Sequence, residues 1–205
     1  MQYSILASNE SIGKTTKALE AKGYIVFVVE NAKEALEKIK ALIPQGASVI
    51  NGASITLETI GYMDWLKSGK TGWIDLHAKV NSESDPAKRS KLRKEASISD
   101  FYLGSVHALT EDGQMIIASN TGSQLPSIAF TSTNLIFVVG TQKIVPTLAD
   151  AMKRLEEYVY PLEDKHLMDK YNSHTNISKI LIFKKEQEYL GRKINFILVK
   201  EKLGY

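Results

Sequence analysis

At 205 residues, 43% hydrophobic and 24% charged, the chain is sized for one folded domain over residues 1–205, with no Pro/Gly/Ser-rich linker to divide it. A net charge of +3 is too small to argue for nucleic acid or a membrane surface, and the lack of cysteine excludes disulfides, thiolate nucleophiles, cysteine-held zinc and a self-ligated iron–sulfur cluster. The N-terminal MQYSILASNE has no basic segment followed by a long apolar one, and no apolar run approaches the ~20 residues of a membrane span, so a cytoplasmic chain is expected.

Strand and helix signals alternate from the start. Lys14 to Lys22 reads as a helix closed by Gly23, and YIVFVV (24–29) as a buried strand. Asn31 caps the next helix, with Glu34 three residues on in a near capping box. Its apolar residues Ala32, Ala35, Leu36, Ile39, Leu42 and Ile43 share one face, and Pro44 and Gly46 stop it. After the strand SVI and a helix through ITLETI, residues near Gly69 to Leu76 form a turn and a short strand. SDPAKRSKLRKEA then supplies a cap at Ser84 or Asp85, a proline suited to the first turn, and a basic helix.

DFYLGSVHALTEDGQMIIAS reads as two extended runs around the tight-turn dipeptide Asp112-Gly113. A helix from about Ser123, the strand LIFVVG (135–140), a helix from Thr147 to about Tyr160, and the strands SKILIF and KINFILV complete the chain. Such alternation predicts an α/β fold: a mostly parallel, Rossmann-like sheet with helices on both faces. Ligands in such sheets sit beyond the carboxyl ends of the strands, where strand order reverses.

Two strand-to-helix junctions therefore carry the functional expectation. In NGASITLETIG, Gly52 and Ala53 keep the approach open, Ser54 is the cap, Thr56 lies in the first turn, and Glu58 stands one turn above Ser54. In ASNTGSQLPS, Asn120, Thr121, Gly122 and Ser123 follow a strand, and Pro126 falls in the first helical turn. Free N–H groups and hydroxyls at such places either cap a helix or hold an anion, and both uses stay open. The anion-binding candidates are Asn51, Gly52, Ser54, Thr56, Asn120, Thr121, Gly122 and Ser123, and the two junctions are expected to converge on one electropositive hollow. Glu58, Glu111 and His107 are the candidate catalytic groups, since a histidine and a carboxylate beside a cleft exchange protons near neutral pH. A packed imidazole in a surface hairpin is the plainer account of His107 and Glu111.

Other motifs carry less. SNESIGKTT ends in Gly-Lys-Thr before a helix, but Ser8 stands where a phosphate-cradling loop needs glycine, so a solvated first turn explains it better. His77, His166 and His174 have no metal-ligand spacing, and no metal site is expected. Lys88, Arg89, Lys91, Arg93 and Lys94 lack interleaved aromatics and read as a solvated basic face rather than a nucleic-acid site. No GxGxxG at a strand end marks a nicotinamide or flavin site, so the cofactor is left unassigned.

Four segments, GASITLETIG, SDFYLGSVHALTEDGQMIIASNTG, FVVGTQKIVP and GRKINFILVKEKLGY, resemble the lactate-utilisation (LUD) domain family, with the resemblance running from about Thr15 to Tyr205. It implies a fold similar to the ribose-phosphate isomerase, glucosamine-phosphate deaminase and CoA-transferase group, with anionic ligands held near Gly52, Ser54, Thr121, Gly122 and Ser123. It further implies a part in the oxidation of L-lactate to pyruvate beside separate iron–sulfur subunits. The sequence departs from many relatives in having HLMDKYNSHTNISK, without cysteine, before the final strands, and in Gln124 and His107. The alternatives are an enzyme acting alone on a phosphorylated or CoA-linked molecule, and a non-catalytic scaffold.

Overall fold

Strands that are apolar on both faces must be covered on both faces, and the computed structural model, which describes residues 2–205, shows how. The strands are β1 Ile25–Val29, β2 Ser48–Asn51, β3 Ile74–Asp75, β4 Phe101–Gly104, β5 Ala108–Thr110, β6 Met115–Ser119, β7 Asn134–Gly140, β8 Ile144–Val145, β9 Lys179–Phe183 and β10 Lys193–Val199. Six of them make a wholly parallel sheet in the order β1-β10-β7-β4-β2-β3. The other four make a second sheet, β8-β5-β6-β9, in which β6 runs antiparallel to both its neighbours.

The helices are α1 Asn9–Glu20, α2 Ala32–Leu42, α3 Ile55–Thr59, α4 Tyr62–Lys67, α5 Leu76–Asn81, α6 Pro86–Glu95, α7 Leu148–Arg154 and α8 Tyr160–Tyr171. Side chains alternate along each central strand and divide the core in two. Leu103, Ile136, Val138, Ile197 and Val199 pack under α2, α3 and α4, joined by all six apolar residues of the α2 stripe. Tyr102, Leu135, Phe137, Phe196 and Leu198 face the other way, against Ile12 and Leu19 of α1 and Leu109, Met115, Ile117 and Phe183 of the second sheet. The second sheet's far face, with Ala108, Ile116 and Val145, packs on Ala151, Leu155 and Val159. Helices do lie on both faces of the main sheet, but α1 shares its face with a second sheet. Pattern reading did not resolve that layer, because buried strands of both sheets look alike.

Capping follows the sequence closely. Asn31 Oδ1 accepts from the Glu34 N–H at 3.0 Å, and the Glu34 carboxylate accepts from the Glu30 N–H at 3.0 Å. Asp85 accepts from the Lys88 N–H at 2.8 Å, which settles the cap of the basic helix. Ser8 accepts from the Ser11 N–H at 3.2 Å, so α1 begins well before Lys14, and the Gly-Lys-Thr lies inside it.

Three expectations change. β1 is an edge strand, with Ile25 and Val28 exposed, rather than a buried one. The extended run before Asp112 is split at Ser105-Val106-His107, so that β4 joins the main sheet and β5 the second. The late helix does not end near Tyr160: α7 runs through a π-turn over Leu155–Val159 into α8, and Asn172, at φ 50°, closes it. The wider π-turn accommodates Pro161, which has no N–H to donate back along the helix. Among the described residues, no helix is long and apolar enough to cross a membrane.

From β2 the chain steps outward to β3 and then returns to the other side of β2 as β4. Strand order therefore reverses at the β2/β4 pair, and the carboxyl ends of these strands are where a ligand crevice belongs.

Candidate functional site

A cavity of about 530 Å³ opens at those carboxyl ends. Asn51 and Gly52 leave β2 into it, Ser105 and His107 follow β4, Asn120 to Gln124 follow β6, and α8 forms a facing wall. The two junctions meet there. A Cβ on Gly52 would lie 2.6 Å from Gln124 Oε1 and 2.8 Å from the Tyr102 hydroxyl, so glycine is what lets the two loops touch. The Gln124 amide is anchored in turn on the Ala118 carbonyl at 3.3 Å.

The hydroxyls have several employments. Ser54 accepts from the Leu57 N–H at 3.3 Å, so it caps α3. At the second junction, Thr121 Oγ1 donates to Ser123 Oγ at 3.1 Å and accepts from the Ser123 N–H, while the Gly122 N–H donates to Ser119 Oγ at 2.9 Å. Gly122 takes φ 83°, and a Cβ there would strike the Lys179 stem at 2.7 Å. The expected helix at Ser123 is instead this hydroxyl-laced turn followed by a short π-turn over Ser127–Thr131.

Thr56 differs, because it serves a cation. Its hydroxyl donates to the Leu203 carbonyl at 3.2 Å and accepts from Lys143 Nζ at 2.9 Å. Lys143 Nζ also donates to Ser105 Oγ at 3.1 Å. Lys143 is 3% exposed, lines the cavity, and lies in the single helical turn Thr141–Lys143 that ends β7. None of the ion pairs among the described residues includes it. Burial, and secondarily the Arg154 guanidinium, bring its ammonium down to about 7.

Behind Lys143 stands Arg154, fully buried and likewise without a carboxylate. One of its Nη1 hydrogens is given to the His107 carbonyl, its guanidinium lies 5.3 Å from the Tyr158 ring, and its Nε and Nη2 have no partner. Burial lowers it to about 10, which leaves it charged at neutral pH. His107 is held neutral: burial, then the Lys143 and Arg154 charges, push it down to about 3. Its Nδ1 accepts from the Ala118 N–H at 3.1 Å, which leaves the ring proton on Nε2.

Of the residues singled out from sequence, Asn51, Gly52, Ser54, Thr56, Glu58, His107, Asn120, Thr121 and Ser123 line the cavity. Gly122 shapes its loop without lining it. Glu111 lies elsewhere: its N–H donates to Val145 and its carboxylate stands 3.9 Å from Lys14. The expected exchange of protons between His107 and Glu111 therefore has no geometry, and the buried imidazole, neutral with its one proton on Nε2, does not take up a second near pH 7. Charge on the wall is mixed, with Arg93, Lys170, Glu58 and Glu163 toward its exposed parts and Lys143 deep within. Asn51, 5% exposed, carries an Oδ1 that accepts from no donor. Among the described residues no group of His, Asp and Glu side chains gathers as a metal site.

Lys143 and Arg154 were missed from sequence. A lone lysine between the strand LIFVVG and the apolar IV was the available signal for the first. Arg154 looks like any basic residue near a helix end.

The structure is similar to that of a DUF162 family protein from Deinococcus radiodurans, with a TM-score of 0.56 at 13% identity over 95% of this chain and 99% of that one. At that identity the likeness shows the fold alone. No curated protein matches. The family model of the LUD domain matches residues 12–185, most of the chain including both junctions, β7 and Lys143, and this chain belongs to the LUD-domain family.

Proposed function

We propose that this chain is a cytoplasmic component of the utilisation of L-lactate or a related organic acid, and that it binds a small carboxylate in the cavity at the ends of β2 and β4. The observation that carries the reading is Lys143, a buried ammonium on the cavity wall with two hydroxyls and no carboxylate beside it. A charge taken out of water needs a partner, and here the cavity is the place for one. The unpaired Arg154 behind it adds field of the same sign. Family membership supplies the metabolic setting. It also suggests separate iron–sulfur partner subunits for the electrons leaving the substrate, and the chain has no cysteine with which to ligate a cluster of its own.

One observation favours a second reading, an enzyme acting on a larger phosphorylated or CoA-linked molecule. About 530 Å³ is within the range of pockets that hold drug-sized ligands and far exceeds what lactate fills. A thermal-shift series with lactate, pyruvate, sugar phosphates and CoA esters separates the two. A ligand at 100 times its Kd adds about 2.7 kcal/mol, which raises Tm by roughly 5–10 °C in a chain of this length. Stabilisation by lactate or pyruvate supports the first reading, stabilisation by phosphorylated or CoA compounds alone the second, and no shift with any of them removes both.

A further inference from the structure

We infer that Lys143 is a carbonyl-condensing amine, whose Nζ forms an imine with a 2-oxo acid bound in the cavity. The inference rests on the carboxylate-binding reading above and gives its cation a covalent role.

Three features of the geometry point this way. Nζ is held by Thr56 Oγ1 at 2.9 Å and Ser105 Oγ at 3.1 Å, and hydroxyls, unlike a carboxylate, do not fix the proton on the nitrogen. The Thr56 hydroxyl spends its own hydrogen on the Leu203 carbonyl, and a Cβ at Gly204 would fall 2.8 Å from it, so one side of the cradle is rigid. Arg154 lies behind without an anionic partner. A permanent buried cation next to a lysine favours the free amine, the nucleophilic form, while leaving a positive field for the substrate's carboxylate.

The step balances within the two reactants. The ammonium first releases a proton to solvent. The amine lone pair then attacks the carbonyl carbon, giving a carbinolamine. The former carbonyl oxygen leaves as water, both hydrogens of which come from the amine, and the carbon–nitrogen double bond remains. Nothing is oxidised or reduced. Of the charged and titratable groups, Arg154 and His107 interact with the amine, His107 being neutral and Arg154 keeping its charge near pH 7; Glu58, Glu163 and Tyr205 line the same cavity, as do His77, Arg93, His166 and Lys170.

The test incubates the full chain with pyruvate and cyanoborohydride, which reduces an imine to a stable secondary amine, and locates the adduct by peptide mass mapping. Thermal shifts with pyruvate and with lactate are measured in parallel. The expected result is an adduct confined to Lys143, absent with lactate, lost in Lys143→Arg, and forming about tenfold faster per pH unit up to about pH 7, then levelling off. Stabilisation by pyruvate with no adduct, or with adducts scattered over surface lysines, overturns the inference and leaves the carboxylate pocket standing. Neither stabilisation nor adduct overturns both. Mapping on the unsubstituted chain decides the matter even if the arginine variant fails to fold.

Discussion

An ammonium buried without a carboxylate is a standing cost to the fold, and Lys143→Met measures it. Methionine keeps the length and apolar stem but removes the charge. Lowering the lysine from its ordinary 10.5 to about 7 corresponds to about 5 kcal/mol of lost stability well below pH 7, at about 1.4 kcal/mol per pH unit. At pH 7 itself, where half of the folded chains have already released the proton, it corresponds to roughly 4 kcal/mol. The variant forfeits the bonds to Thr56 and Ser105, about 1 kcal/mol each. The balance is a gain of about 2 kcal/mol, or a Tm higher by roughly 4–8 °C. The sign of the pH dependence follows from proton counts. The unfolded chain keeps this proton up to about 10.5 and the folded chain releases it near 7, so between these values the unfolded state binds more protons and wild-type stability from this group rises with pH. The variant's advantage should thus be full below about pH 7 and fade toward pH 10. Paired thermal unfolding curves from pH ~6 to ~10 check this. A variant less stable than wild type at pH ~6, or an advantage that does not change with pH, would refute the claim that Lys143 is a buried, uncompensated cation.

Three more substitutions probe the site and its supports. Gly52→Val drives a side chain into Gln124 and the Tyr102 hydroxyl, so it should cost about 1–3 kcal/mol and abolish any ligand-induced thermal shift, as differential scanning fluorimetry would show. Arg192→Met leaves the buried Glu186 without its 2.5 Å partner and frees the carbonyls of Ser127, Ile128 and Ser132; a loss of roughly 3–5 kcal/mol in urea unfolding is expected. Glu111→Gln touches only a distant, partly exposed contact with Lys14, so ligand affinity measured by calorimetry should stay within twofold of wild type.

What the sequence conveyed and what it withheld have a physical division. Asn31, Ser54, Asp85 and Thr147 stand at the helix starts where the sequence put them, because a cap is a contact between residues three apart and is written locally, whereas Ser8 caps a helix that the sequence reading began only at Lys14. The α2 stripe was legible for the same reason. The convergence of the two junctions was expected on the ground that parallel strands of one sheet place their carboxyl ends on one rim. The two junctions meet for a different reason: β6 belongs to the second sheet, and Gln124, not a helix N-terminus, bridges to Gly52. The division of the middle block into β4 and β5 was hidden because Ser105-Val106-His107 carries no turn signature strong enough to separate two sheets. Glu111 was misplaced because a carboxylate within a tight turn has no local feature that says which way it points.

Lys143 was hidden for a deeper reason, which bears on how the site works. Its character depends on four segments distant in sequence: Thr56 from α3, Ser105 after β4, Arg154 from α7, and Leu203, which fixes the Thr56 hydroxyl. No one of these contacts is unusual, and only their coincidence makes a lysine that is buried, cradled by hydroxyls and faced by a second cation. A stable fold gains nothing from that coincidence, since an apolar side chain would fill the space at lower cost. The arrangement makes sense as a site held ready for an anion, whose arrival supplies the missing charge and returns part of the desolvation cost as binding energy.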